Sequence, residues 1–367
     1  MNERAPTAAT AEIVAELVRS ELRALSAYAV ARAEGMIKLD AMENPYALPA
    51  AVAARLGDAL ARVPINRYPD GAAEDAKRAL RQALAIPDAH GLLLGNGSDE
   101  LIQLIASMLA RPGAAMLIPE PSFVMYRMSA LNAGLRVAGV SLNGDFSLNL
   151  QAMLNAIERE HPALVFLAYP NNPTGNLFAA SEVEAILRAT PGLVVVDEAY
   201  YAFAEASFLS RVGEFRNLLV LRTLSKVGMA GIRLGYAVAP RDWIDELNKL
   251  RPPYNVNAFT QAAIGALLAD TAWIAEQAAA IRAERARLQA AMARLPGVQV
   301  YPTQTNFIVA RFSKGNDIFE GLKAKRILIK NLDGWHPLLA RCLRITVGTP
   351  SENDMLLSAL AELTDRP

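Results

Sequence analysis

The sequence predicts an α/β fold, with a large domain built on a mostly parallel sheet and a smaller α+β domain after it. Three observations carry this. Continuous apolar runs recur, among them ALVFLAY at 163–169, LVVV at 193–196 and NLLVLR at 217–222; strands buried on both faces read this way. The runs alternate with helix-period segments, the pattern of a parallel sheet with crossover helices. After about residue 255 the character changes to a long Ala/Arg/Glu segment followed by further strand patterns. A chain of 367 residues is also too long for one small core.

Taken in order, residues 9–33 form an amphipathic helix, with Ile13, Leu17, Leu22 and Leu25 at roughly helical spacing. KLDAMENPYALP at 38–49 breaks it with two prolines. A helix over 50–62 precedes the turn INRYPDG (65–71), and another covers 72–85 before the short run LLLGNGSDE. Strands follow at 115–118, 163–169, 193–196, 217–222 and 234–238, with helices at 99–110, 124–133, 149–159 and 181–189. A single helix over 259–294 then leads to strands near 298–301, 305–311 and 342–347. The expected division is an N-terminal arm (1–37) packing on the small domain, a large domain (38–255) and a small domain (256–367).

Composition narrows the function. Lys plus Arg and Asp plus Glu both number 37, so nothing points to nucleic acid or an anionic membrane as partner. Cys342 is the single cysteine, which fits a small buried residue in a reducing compartment. His90, His161 and His336 lie far apart without metal-ligand spacing. Glu3, Glu12, Glu16 and Glu21 argue against a transit peptide, and no apolar run reaches membrane-span length. A cytoplasmic protein is expected.

Ligands in open α/β sheets bind at the carboxyl ends of strands, and those ends are where the polar residues sit. The 163–169 run ends in YPNNPTG, 193–196 in VDEAY and 217–222 in RTLSK, while LLLGNGSDE drops into a helix. Alone, GNGSDE reads equally as an ordinary helix cap or as a phosphate seat at a helix start, and NNPTG reads as a turn. Asp197 and Lys226 are harder to place, because a charge at the end of a buried strand needs a partner. Pyridoxal 5'-phosphate answers every demand at once. Its aldehyde gives Lys226 a covalent partner, and its ring nitrogen pairs with Asp197. Its phosphate falls to Ser98, Ser225 and Arg233.

YPNNPTG, VVVDEAY and TLSKVGMAGIRLGY, in this order and spacing, resemble the fold-type I pyridoxal-phosphate-dependent aminotransferases. Within that family RYPDG, GNGSDE, RTLSK and CLRITVGTP are similar to the histidinol-phosphate aminotransferases, from about Leu39 to the C-terminus. The resemblance implies a seven-stranded type of large sheet. It implies that Lys226 is the Schiff-base lysine and Asp197 the ring-nitrogen partner, with Asn172 and Tyr200 on the phenolic oxygen and Phe123 stacked on the ring. Ser98, Asp99, Thr223, Ser225 and Arg233 would hold the phosphate. Tyr68 would reach the phosphate of a neighbouring subunit, making a homodimer with shared sites. Lys226, Asp197 and Tyr200 are then the catalytic residues. Arg344 and Lys330, with Tyr68 and Asn172, would bind substrates, here histidinol phosphate and glutamate or 2-oxoglutarate in histidine biosynthesis. Alternatives within the fold are an aromatic amino acid aminotransferase and a decarboxylase of a phosphorylated amino acid.

Two positions depart from the family pattern. The interval from Lys226 to Arg233 is one residue shorter than in many relatives, which Gly228 and Gly231 could accommodate. Lys330 stands where an arginine would grip the substrate phosphate with a fork rather than a point charge.

Overall fold

The computed structural model describes residues 8–27 and 31–365. Its large sheet has seven strands in the order Gly91–Gly95, Gly235–Ala239, Leu218–Thr223, Leu193–Asp197, Leu164–Ala168, Ala115–Glu120 and Arg136–Ser141. All neighbours pair in parallel except at Gly235–Ala239, which runs antiparallel to both strands beside it. Leu164–Ala168 and Leu193–Asp197 are buried along their whole length. Their side chains alternate between two separate cores: Val194 and Val196 enter one, Leu193 and Val195 the other. Period-2 alternation across a sheet buried on both faces makes the sequence a continuous apolar run.

In the register, Ala168 lies opposite Asp197 and Asp197 opposite Leu221, so three strands reach their carboxyl ends side by side. Arg136–Ser141 was absent from the expected strands. It is a sheet edge with exposed and half-buried positions in place of an apolar run, so it lacks the feature that marks the central strands.

A four-stranded antiparallel sheet forms the second unit, in the order Lys330–Asn331, Cys342–Thr346, Phe307–Phe312 and Val298–Val300. Its last helix, Pro350–Thr364, starts with a reciprocal cap: the Thr349 hydroxyl accepts from the Glu352 amide while the Glu352 carboxylate accepts from the Thr349 amide. Ile37–Lys38 pairs in parallel with Ile327–Leu328, and the chain beyond it is stitched to the antiparallel sheet. Thr346 N–H donates to Leu39 O, Met42 N–H to the Thr346 hydroxyl, and Asn306 Nδ2 to Met42 O.

Two helix expectations require correction. The 259–294 segment is two helices, Ala258–Leu268 and Ala272–Met292, bent by 81°. Asp270 accepts from the Ala272 amide and starts the second, while Arg55 Nε on the Ala50–Ala61 helix holds Ala266 O of the first. The 9–33 segment likewise holds two short helices, Ala8–Leu17 and Ser20–Arg23, with residues 28–30 outside those described. Arg19 between them is extended (φ −51°, ψ 139°), and its guanidinium donates to Leu131 O and Asn132 O of the large domain. Among the described residues no single helix is long and apolar enough to cross a membrane.

Candidate active site

The carboxyl ends of the parallel strands open into a cavity of about 240 Å³. Its lining includes Ser98, Asp99, Phe123, Asn172, Asp197, Tyr200, Thr223, Ser225, Lys226 and Arg233, so the structure brings ten of the expected residues to one place.

Asp197 closes the Leu193–Asp197 strand and is buried. The Tyr126 hydroxyl donates to its Oδ2 at 2.7 Å and the Ala199 amide to its Oδ1 at 3.1 Å. Burial pushes its pKa up to about 7, against the opposing pull of the Tyr126 and Ala199 hydrogen bonds. A phenol and an amide orient a carboxylate without neutralising it. Among the described residues no cation forms an ion pair with this buried side chain, so it is suited to face one bound in the cavity.

Lys226 follows in a 3-10 turn, Ser225–Val227, directly after the Leu218–Thr223 strand. Its Nζ donates to Ala41 O at 3.3 Å and lies 6.0 Å from the Tyr200 ring centroid. Burial, then the nearby Arg344 charge, lowers its pKa to about 8. An amine so placed is neutral in about a tenth of molecules at pH 7, far more often than an ordinary lysine, as a nucleophile or proton acceptor must be.

A second, more apolar wall completes the cavity. Phe123 packs edge-on to Tyr126 with centroids 5.6 Å apart, and Tyr126 stacks on Phe166 at 4.5 Å. Tyr126 escaped the sequence reading. Its one signal was a position one helical turn past Phe123 in PEPSFVMY, which equally suits a core residue.

At the far end, the helix Ser98–Met108 begins beside Arg233, which is 3.9 Å from the Asp99 carboxylate. Two glycines make this cradle possible. A Cβ on Gly97 (φ +85°) would come within 2.7 Å of the Arg233 guanidinium, and one on Gly235 within 2.4 Å of the Ser98 amide. Unpaired amides at a helix start, two hydroxyls (Ser98, Ser225) and a guanidinium make an anion seat. The short Lys226–Arg233 interval closes through the Ser225–Val227 and Ala230–Ile232 turns, with Gly228 at φ +93° and Arg233 itself at φ +56°. Gly231 is not needed in the way expected: its φ is not among the positive ones, and a Cβ there meets open space.

From the antiparallel sheet, buried Arg344 donates through Nη1 to Asn172 Oδ1 at 2.6 Å and through Nη2 to Asp40 O at 3.1 Å. Because a guanidinium only donates, it fixes the Asn172 amide with Nδ2 turned the other way. Lys330 lies opposite Arg344 in the strand register, but its ammonium sits 5.3 Å from the Trp335 ring. It lines a neighbouring cavity of about 700 Å³ that shares Phe123 with the first. Tyr68 does not reach its own chain's cavity. It is 81% exposed and stacked at 4.5 Å on Tyr254. Cys342 is buried, and no cluster of three or more metal-ligating side chains forms among the described residues.

Known proteins resemble this chain in sequence and fold. The family model for aminotransferases of class I and II matches residues 34–360. A histidinol-phosphate aminotransferase from Chromobacterium violaceum is 57% identical, covering 95% of this chain and 98% of the relative. Histidinol-phosphate aminotransferase 1 from Ralstonia nicotianae is 49% identical with both chains covered in full. Among solved structures, the histidinol-phosphate aminotransferase from Sinorhizobium meliloti in complex with pyridoxal-5'-phosphate superposes with a TM-score of 0.85. It is 26% identical and covers 95% of this chain and 97% of that one.

Proposed function

The chain belongs to the class I and II aminotransferase family, and from that premise we propose that it transfers an amino group between histidinol phosphate and 2-oxoglutarate. The observation that carries the chemistry is the pairing, in one cavity, of a buried carboxylate lacking a cation with a buried lysine whose proton affinity is lowered. The donor set fits pyridoxal 5'-phosphate. Asp197 would hold the ring nitrogen, Asn172 Nδ2 and Tyr200 the phenolic oxygen, and Phe123 the ring face. Ser98, Thr223, Ser225, Arg233 and the Asp99 amide would hold the phosphate. When bound, the cofactor supplies an aldehyde that takes up the amino group and a cationic ring that draws electrons from the substrate carbon.

The protein's own residues do the rest. Asp197, oriented by Tyr126 and the Ala199 amide, would keep a proton on the facing nitrogen once that cation is present. Lys226 in its neutral form would remove the proton from the carbon bearing the amine and deliver it to the carbon that had carried the cofactor's aldehyde, on the other side of the nitrogen. The Ala41 carbonyl and the Tyr200 ring hold the Lys226 amine inside the cavity. Burial of the whole cluster excludes water from the proton transfer.

Both substrates carry an anion, a phosphate monoester in one and a second carboxylate in the other. Arg344 would accept either anion, while Lys330 faces Trp335 in the neighbouring cavity. The catalytic unit we propose is a cytoplasmic homodimer in which exposed Tyr68 completes the partner's phosphate seat. Mixing inactive Lys226→Ala and Tyr68→Ala proteins should then restore activity, since each mixed dimer keeps one intact site; no recovery after subunit exchange refutes sharing. The substrate assignment is tested by coupled assay of histidinol phosphate, phenylalanine and tyrosine as donors to 2-oxoglutarate. Faster turnover of a free aromatic amino acid would replace histidinol phosphate as the substrate.

A further inference from the structure

Asp197 has an acidic neighbour, and the structure treats the two differently. Glu198 is fully buried, and its carboxylate does not line the cavity. Its Oε2 accepts from Arg222 Nε at 2.9 Å, Arg222 Nη2 at 2.8 Å and the Ser207 hydroxyl at 2.9 Å, while Oε1 accepts from the Phe208 amide. Arg222 is itself buried, donates to Ser207 Oγ at 2.9 Å and lies 4.2 Å from the Tyr201 ring centroid. Tyr236 sits opposite it in the strand register.

Such a pair does not explain itself through stability, because desolvating two charges commonly cancels their attraction. Its position is informative instead. Glu198 follows Asp197, and Arg222 precedes Lys226 by four residues on the adjacent strand. Two consecutive buried carboxylates would each raise the other's proton affinity. An uncompensated Glu198 would thus protonate Asp197 and take away the charge that the cavity is built to present.

We propose that Arg222 is a positioning residue that cancels the charge of Glu198, so that the cavity feels one carboxylate rather than two. This rests on the reading of Asp197 as the partner of a ring cation. Besides Glu198, the groups facing Asp197 are Tyr126 and Asp99 from two helices and Lys226 across the cavity. Those facing Glu198 are Arg222, Tyr169, Tyr201 and Tyr236.

The test is a charge cycle with opposite signs. The titration of Asp197 is read in cofactor-free protein, as the pH dependence of thermal unfolding relative to the same background carrying Asp197→Asn. This readout requires no turnover, so it stands or falls separately from the substrate assignment. Arg222→Gln should move that titration up by about one pH unit or more, and Glu198→Gln should move it down. Glu198→Gln/Arg222→Gln should return it to the wild-type position, because the two changes are strongly coupled. In the loaded enzyme, kcat should fall at least about tenfold in Arg222→Gln, with KM little changed, and recover in the double variant. A double variant as displaced as Arg222→Gln would make the pair mere packing and overturn the proposal. If Arg222→Gln does not fold, Glu198→Gln/Arg222→Gln alone decides: a titration left at the wild-type position supports the proposal, and one displaced from it refutes the cancellation.

Discussion

The two walls of the cavity come from sheets of different kinds. The parallel sheet contributes Asp197 from a strand's last residue and Asn172 and Lys226 from just beyond strand ends, where the chain leaves the ladder. The antiparallel sheet brings Arg344 against Asn172 from within a paired strand, while Lys330 on the next strand lines the neighbouring cavity. Residues at strand ends are free to take the irregular conformations that reactive groups need, such as the left-handed turn at Gly228. Residues inside a ladder are held at fixed spacing, which suits recognition of an anion. The first wall should therefore govern rate and cofactor, and the second substrate affinity.

The largest effect is expected at Lys226. Replacing it by alanine should lower kcat by roughly 10²–10⁴-fold, the range for loss of a positioned proton-transfer group. The protein should remain folded, and its visible absorbance with added cofactor should change. An active Lys226→Ala enzyme would end the division between the walls.

Asp197→Asn comes next, with kcat reduced roughly 10²–10³-fold, and it carries a signature in pH. The native value near 7 lies above the ordinary carboxylate value of 3.8. Asp197 therefore favours folding below about pH 4 and loses that advantage as pH rises to about 7, at about 1.4 kcal/mol per pKa unit. In cofactor-free protein, the wild type should fall in Tm relative to Asp197→Asn across that window. Lys226 acts oppositely at higher pH: its value near 8 lies below the ordinary 10.5, so stability recovers as pH climbs from about 8 to 10.5. Adding cofactor should flatten the Asp197 window; a window unchanged on loading would deny the pairing.

Arg344→Ala should act on the other wall, with kcat/KM lowered about ten- to a hundred-fold for both amino donor and acceptor. Damage confined to glutamate would sharpen the contrast by assigning the phosphate to Lys330. The smallest effect is expected for Tyr126→Phe, which removes one hydrogen bond from Asp197. At about 1–2 kcal/mol it should slow kcat roughly 5–30-fold and leave KM near normal. A change in KM alone would move Tyr126 to the substrate wall.

The same division governed what the sequence revealed. Strand ends announce themselves because an apolar run and its reactive residue are contiguous, as in LVVVD and LVLRTLSK. Asp197 and Lys226 stood out for that reason, whereas Phe123, Asn172 and Tyr200 were named only through the family resemblance. The contact between Arg344 and Asn172 spans 172 positions, and no local pattern encodes it. Lys330 was expected at the same anion as Arg344, yet it faces Trp335 and a neighbouring cavity, a consequence of the turn at 332–336 rather than of its strand. Tyr126 stayed hidden because an aromatic one turn along a helix reads as core. The helix break at 269–271 was missed because alanine-rich sequence continues across it, and only Asp270 marks the restart.

The stitching of residues 39–42 onto the antiparallel sheet has a mechanical consequence. Leu39, Met42 and Asp40 are bound to Thr346, Asn306 and Arg344, while Ala41 between them holds the Lys226 ammonium. Four consecutive residues thus tie the small sheet by hydrogen bonds to the amine of Lys226, on the other sheet, through one short stretch of backbone.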